Sequence, residues 1–278
     1  MFIGAHVSIE NGYIGAIEKL HAIGGNCLQM FSASPRGWKL EYPKFEKDYI
    51  ETFKTKQKES GISSVYFHAS YLVNLADPLQ IGFMSKKQLV KELLIADMFG
   101  IQGSIVHTGS FKNENPNYLK LKANICYALE RMSKDILFII ENAGNRKIGK
   151  TMEEIGYIIK LVKDKRLKVC LDTCHLHAAG YDISNKQSLD RFLKFFDKEI
   201  GMERLELWHV NDSKDEFGSL RDRHENIGKG SLGLKVFETL LNHPDTRNYP
   251  FITEVPGIDG NGPDKENITT LKELTANF

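Results

Sequence analysis

The stretch VCLDTCHLHAAGYD, residues 169–182, runs from an apolar segment straight into Asp172 and His175, and ionisable groups are not set beside a core without a partner. The same kind of ending recurs along the chain. VYFHAS closes on His68, SIVHTG on His107, FIIEN on Glu141, LWHVND on His209 and FITEV on Glu254, while DRH supplies Asp222 and His224. Taken singly, a histidine at the end of an apolar run is an ordinary hydrogen-bonded boundary residue. Nine such groups meeting at one place are different, because their four carboxylates, if free, would repel and shift one another's protonation. Divalent cations resolve the repulsion. Imidazole nitrogens mixed with carboxylate oxygens, without thiolate, suit zinc, manganese or iron(II) in an open catalytic site rather than a cysteine-rich structural one. Cys174 reads as a small buried hydrophobe beside the site. His177 reads as a supporting or packing residue, and His6 as within reach of the site but without a ligand slot. His21 and His243 read as surface residues.

For these groups to meet, the elements carrying them must bring their ends together. Short runs rich in β-branched and aromatic residues fall at 2–8, 27–32, 64–69, 103–109, 135–142, 168–173, 205–212 and 249–255. Between them lie stretches with three- and four-residue apolar spacing, such as 86–100, 118–133 and 151–164. Eight strands alternating with helices, with no Pro/Ser-rich linker and no break in composition, predict an α/β fold. It is a closed (β/α)₈ TIM barrel spanning 1–278 as one domain. The reactive residues then gather at the C-terminal ends of the strands, the rim on which barrel enzymes build their sites. The polar stretches 110–117 and 213–230 are predicted as loops of that rim.

The sequence opens without a leader pattern, and no apolar stretch approaches the roughly 18 residues that span a bilayer. Cys27, Cys126, Cys170 and Cys174 form no CxxC pair and fit reduced thiols rather than a disulfide framework. A soluble, intracellular, cytoplasmic protein without membrane contact is the expectation.

Read in order, IGAHVS, HASYLVNL, HTGS, DTCHLHAAGYD, HVNDSKDEFGSLRDRH and NIGKG resemble endonuclease IV, the zinc-dependent family of abasic-site endonucleases, over nearly all of the chain. The resemblance implies three clustered zinc ions, with manganese or iron(II) possible at some positions. The matches to His68 and His107 hold one ion, those to Asp172, His209 and Glu254 a second, and Glu141 bridges the two. His175, Asp222 and His224 match the ligands of the third. The implied reaction is hydrolysis of the phosphodiester 5′ to an abasic sugar in double-stranded DNA, leaving a 3′-hydroxyl and a 5′-deoxyribose phosphate. Clustered dications lower the pKa of water to roughly 7 and stabilise both oxygens of an in-line displacement, so no side-chain nucleophile is needed. Glu141 and Glu254 are the catalytic candidates, as ligands that also orient the attacking water. The matches to Arg36, Tyr71 and Leu72 enter the minor groove and expose the lesion, an established way to kink DNA. Trp38 suits either packing beneath its loop or DNA contact.

This resemblance also corrects the charge balance, which at 37 basic against 36 acidic residues looks neutral. Setting the four ligand carboxylates aside leaves 32 acidic residues, an excess of five positive charges, and three dications against those carboxylates add two more. The loaded mouth is therefore positive and suited to phosphate. Three departures from the family pattern fall on loops: ENAGNRKIG in place of ENTAGQG, which brings in Arg146 and Lys147; HTG in place of HPG; and a proline displaced to Pro256 behind Val255. They bear on loop contacts and substrate range. A competing reading is a sugar isomerase or epimerase using Glu141, Asp172, His209 and Glu254, but it leaves five ligands and the Arg/Tyr/Leu loops without a role. A non-enzymatic DNA-binding or metal-storage protein is a third. A monomer is expected, since the whole loop face must meet a duplex.

Overall fold

The structure is a computed structural model, described for residues 1–38, 44–111 and 116–275. Its strands are β1 (Phe2–His6), β2 (Cys27–Phe31), β3 (Ser64–His68), β4 (Gly103–Val106), β5 (Leu137–Glu141), β6 (Leu167–Asp172), β7 (Leu205–His209), β8 (Asp212–Ser213), β9 (His224–Glu225) and β10 (Pro250–Thr253). Eight of them close into a parallel barrel in the order β1-β10-β7-β6-β5-β4-β3-β2, while β8 and β9 form a separate antiparallel pair. Around the barrel run α1 (Gly12–Ile23), α2 (Lys47–Glu59), α3 (Gln80–Phe99), α4 (Tyr118–Leu129), α5 (Met152–Val162), α6 (Thr173–Ala179), α7 (Lys186–Glu199), α8 (Leu234–Asn242) and α9 (Lys265–Glu273). The expected TIM barrel is the observed one.

Two apolar layers follow from the period-2 alternation of the strands. Leu28, Met30, Val65, Phe67, Ile140, Val169, Leu171, Trp208 and Phe251 pack in the large cluster shared with the helices. Cys27, Tyr66, Ile105, Ile139, Cys170, Leu207 and Ile252 form a smaller cluster inside the barrel. Parallel strands covered on both faces in this way read in sequence as continuous apolar runs.

The expected strands 103–109 and 249–255 stop at Val106 and Thr253, so His107 and Glu254 are the first residues beyond the ladder. Past β4 the carbonyls of Thr108 and Gly109 accept from Leu75 and Ile148 of adjoining loops instead of from a strand. Helix α3 starts six residues before the expected 86. The strand expected at 205–212 stops at His209, and Asp212 instead opens the β8–β9 hairpin, which continues into the loop expected at 213–230; residues 112–115 of the loop expected at 110–117 lie outside the described residues. Among the described residues no helix is long and apolar enough to cross a membrane.

Candidate metal centre

Alternation also builds the site. Two residues beyond each member of the inner cluster the chain faces the interior again, one layer nearer the rim. Those positions are Gln29, His68, His107, Glu141, Asp172, His209 and Glu254, and His6 joins them from β1 through contacts to Gln29 and Glu254. Each barrel strand thus lends one polar side chain to a ring above an apolar floor.

Two local devices bring in the remaining groups. Asp172 ends β6 and caps α6, its Oδ1 accepting from the His175 backbone N–H at 2.9 Å, so the strand turns into a helix whose first turn delivers His175. Gly144 allows this close approach, since a Cβ there would lie 2.9 Å from the His175 Cα. The β8–β9 hairpin, with Ser213 opposite His224, folds the loop after β7 back over the mouth and carries Asp222 and His224 with it. Between those two, Arg223 turns away into a two-bonded clamp on Asp215. Asp212 gathers the backbone N–H groups of Gly228, Gly230 and Leu232, and a Cβ at position 230 would meet its Oδ1 at 2.5 Å.

Among the described residues this brings together three groups of imidazole and carboxylate donor atoms, those within a group lying within 4.8 Å of one another: His68, His107 and Glu141; Glu141, Asp172, His209 and Glu254; and His175, Asp222 and His224. Glu141 is common to the first two. Its Oε2 stands 3.1 Å from both His68 Nε2 and His107 Nε2, and its Oε1 stands 3.1 Å from His209 Nδ1. Two ligands of a tetrahedral zinc, each about 2.1 Å from the ion, are about 3.4 Å apart. His209 Nδ1 to Glu254 Oε2 is 3.4 Å, and His224 Nε2 lies 3.6 Å from both Asp172 Oδ2 and Asp222 Oδ1. That buried His224 nitrogen has no hydrogen-bond partner, and a gap of this width suits a shared cation. A fourth group sets Cys174 with Asp172 and His224, but burial pushes its thiol up to about 12, so it sits beside the site as a neutral, buried side chain.

The imidazoles are aimed by their other nitrogens, as in metal sites generally. His68 donates from Nδ1 to the Ala69 carbonyl (2.8 Å), His175 from Nδ1 to the Asn142 carbonyl (2.9 Å) and His209 from Nε2 to Gln29 Oε1 (2.7 Å). Each leaves the opposite nitrogen facing carboxylates. Charges follow the geometry. Burial works against a charged His175, but Asp172 and Asp222 hold its pKa well above the usual value; at His209 burial is likewise outweighed by Glu254 and Glu141. Burial pushes the two glutamic acids up, yet His107 and His209 hold Glu141, and His209 and His6 hold Glu254, well below the carboxylate range. His107 goes the other way, lowered by burial and by His175 and His68 to about 4.

Gln29, Asn142 and Asn211 are the participants that sequence reasoning missed. Gln29 Nε2 donates to Glu254 Oε1 at 2.5 Å, tying that acid to His209 through one buried amide. Asn211 donates to Asp172 Oδ2 (2.6 Å) and accepts from the Glu254 N–H (2.7 Å), and Asn142 Oδ1 accepts from the Asp172 N–H (2.6 Å). Their only signal is position: Asn142 directly after Glu141, Asn211 two residues after His209, and Gln29 inside the second apolar run. His6 Nε2 is buried without a partner at the mouth, and His177 binds the Asp215 carbonyl and Ser231 away from it. His21 is exposed as expected. His243 is not: it is buried against α7, its Nε2 2.8 Å from Asp190 Oδ1.

The ring opens into a cavity of about 560 Å³, lined among others by His68, His107, His175, His224, Glu254 and Tyr71. Tyr71 is 69% exposed, edge-on to Phe31, and the neighbouring Leu72 is half-buried. Ser70 Oγ donates to the Pro35 carbonyl and pins this loop to the one carrying exposed Arg36 and half-buried Trp38.

Fold and site define a xylose isomerase-like TIM barrel with clustered imidazole and carboxylate donors at its rim, and the family of that description matches residues 17–274. Within it the chain belongs to the endonuclease 4 family. It is 40% identical over 265 residues to a protein named "Probable endonuclease 4" from Thermosipho melanesiensis, 92% of each chain being covered. The crystal structure of endonuclease IV from Thermus thermophilus superposes with a TM-score of 0.86 at 29% identity, over 99% of both chains. A 3-keto-D-glucoside 4-epimerase from E. coli also superposes, with a TM-score of 0.67 over 99% of both chains, but at 17% identity this shows a common barrel only.

Proposed function

We propose that this protein incises double-stranded DNA at abasic sites, hydrolysing the phosphodiester 5′ to the lesion and leaving a 3′-hydroxyl and a 5′-deoxyribose phosphate. The observation that carries the reading is the set of three donor groups, two of them joined through Glu141, at the floor of an open mouth. His68 and His107 would hold one zinc ion, Asp172, His209 and Glu254 a second, with Glu141 spanning both, and His175, Asp222 and His224 a third. Manganese or iron(II) suits the same nitrogen and oxygen donors at some of these positions. Bound there, such ions lower the pKa of water and offset the charge that develops on the phosphate.

The chain's own residues do the rest. Gln29 and Asn211 hold Glu254, and Asn211 and Asn142 hold Asp172, so the donors keep their positions while substrate binds. Glu141 and Glu254 orient the attacking water through their carboxylate oxygens. Exposed Tyr71, with Leu72 and Arg36 beside it, wedges into the minor groove, and the missing base lowers the cost of opening the stack. The loop face of one chain is enough to receive a duplex, which favours a monomer.

The third group speaks against a sugar isomerase, which needs only the four-ligand set. A nicking assay on an abasic duplex tests the reading: incision by metal-loaded protein, abolished by chelator and restored by zinc, is expected. Absence of incision alongside isomerisation of a free sugar would overturn it.

A further inference from the structure

Beside the mouth, across the rings of His68, His107 and Tyr71, lies a second cavity of about 290 Å³. Tyr71, Leu72, Asn74, Ser110 and Lys147 are among the residues that line it. The Asn74 amide here is committed to the fold. Asn74 Nδ2 donates to the Ser110 carbonyl (3.1 Å), and its Oδ1 accepts from the N–H groups of Ala76 and Ser110 (3.1 and 3.2 Å). Lys147 is not committed: its side chain is exposed and makes no ion pair among the described residues.

The loop that carries Lys147 is nonetheless fixed. Lys147 N–H donates to Asn145 Oδ1 (3.0 Å), Ile148 N–H to the Gly109 carbonyl (3.0 Å) and Gly149 N–H to Glu154 Oε2 (2.8 Å), while the Ala143 N–H donates back to the Gly149 carbonyl (3.0 Å). Lys147 and His107 line this same cleft. A cation with no ion-pair partner among the described residues, carried by a hydrogen-bonded loop at a cleft beside a site for phosphate chemistry, is placed to receive another phosphate. It falls in the segment where ENAGNRKIG departs from the family pattern.

We infer that Lys147, with the cleft between it and Tyr71 and Leu72, is a subsite for a DNA backbone phosphate neighbouring the scissile one. The inference rests on the abasic-endonuclease reading above. The other phosphate source, a free anion, is separated from DNA by the test.

The test compares zinc-loaded wild type, Lys147→Ala and Arg146→Ala, the last an equal loss of charge outside the cleft. The ligand is the nicked duplex left by incision, which keeps its neighbouring phosphates and is not cut again. Anisotropy titrations should show Lys147→Ala binding about tenfold more weakly at low salt, with a slope of log K against log salt shallower by about one. A neutral methylphosphonate at one position beside the nick should weaken wild type and Arg146→Ala by a similar factor and Lys147→Ala hardly at all, and that position names the phosphate. If wild type incises abasic DNA but Lys147→Ala matches it in affinity, slope and methylphosphonate response, the subsite alone is overturned. The same holds if inorganic phosphate protects wild type and Lys147→Ala equally and no methylphosphonate position discriminates them. If wild type neither binds nor incises abasic DNA, the underlying reading falls and the subsite with it.

Discussion

Replacing Gln29 with methionine removes a group that touches no ion in the proposed site yet holds two of its ligands. Gln29 is fully buried, its Oε1 accepting from His209 at 2.7 Å and its Nε2 donating to Glu254 at 2.5 Å. Methionine keeps the length of the side chain and its apolar contacts but carries neither polar atom. His209 is then no longer fixed with Nδ1 toward the acids, and Glu254 loses one of its anchors. Loss of such an outer hydrogen bond costs about 10- to 100-fold in metal affinity, or about 1.4–2.7 kcal/mol at about 1.36 kcal/mol per decade. His209 Nε2, left unpaired while Glu254 Oε1 keeps His6 Nδ1 at 3.3 Å, costs the metal-free fold about 1–3 kcal/mol as well. The assay is a zinc titration of metal-stripped protein against a chelating dye, with thermal unfolding of the metal-free form alongside. One zinc equivalent should weaken by that factor while the other two change by less than about threefold. Superimposable competition curves for wild type and Gln29→Met, or an equal loss across all equivalents, would refute the reasoning.

Glu141→Gln should leave the barrel folded, by circular dichroism, but remove most incision, because one oxygen of the bridge becomes an amide between two donor groups; near-wild-type turnover with unchanged metal content would reject the bridge. The triple variant Arg36→Ala, Tyr71→Ala, Leu72→Ala should keep its metals and its Tm while binding abasic duplex at least about tenfold more weakly, and unchanged affinity would remove the wedge. In metal-free protein the raised pKa values of His175 and His209 contribute stability that is complete below their unfolded value of 6.5 and lost as pH rises through the folded values. Its Tm should therefore fall as pH rises above 6.5, while the gain in Tm on adding zinc should grow over the same range, since ligation needs deprotonated rings. A zinc-induced gain that shrinks with rising pH would contradict this.

Six of the residues that meet at the mouth, His68, His107, Glu141, Asp172, His209 and Glu254, could be placed from sequence because each sits where an apolar run stops and strand parity turns the residue two beyond an interior side chain inward again, whereas His175 arrives on the first turn of α6 and Asp222 and His224 on the polar loop after β7. Gln29 and Asn211 were not legible, since a neutral amide in or after a strand carries no sign of the ligand it will hold. The β8–β9 hairpin has two-residue strands inside a polar loop, too short for any periodicity to mark. His243 was read as exposed because its burial depends on Asp190, 53 residues away on another helix. Cys174 packs as expected, but only the structure puts its sulfur within reach of Asp172 and His224.

If three ions act together in this mouth, as proposed, stepwise metal loading reveals it. Metal-stripped protein is given zinc in increments, and initial incision of an abasic duplex is recorded at each ratio of zinc to chain. Activity should reach its plateau at about three equivalents, and His224→Ala, which leaves only His175 and Asp222 in the third group, should show little activity at any ratio. A wild-type plateau at two equivalents, or a fully active His224→Ala, would contradict the claim.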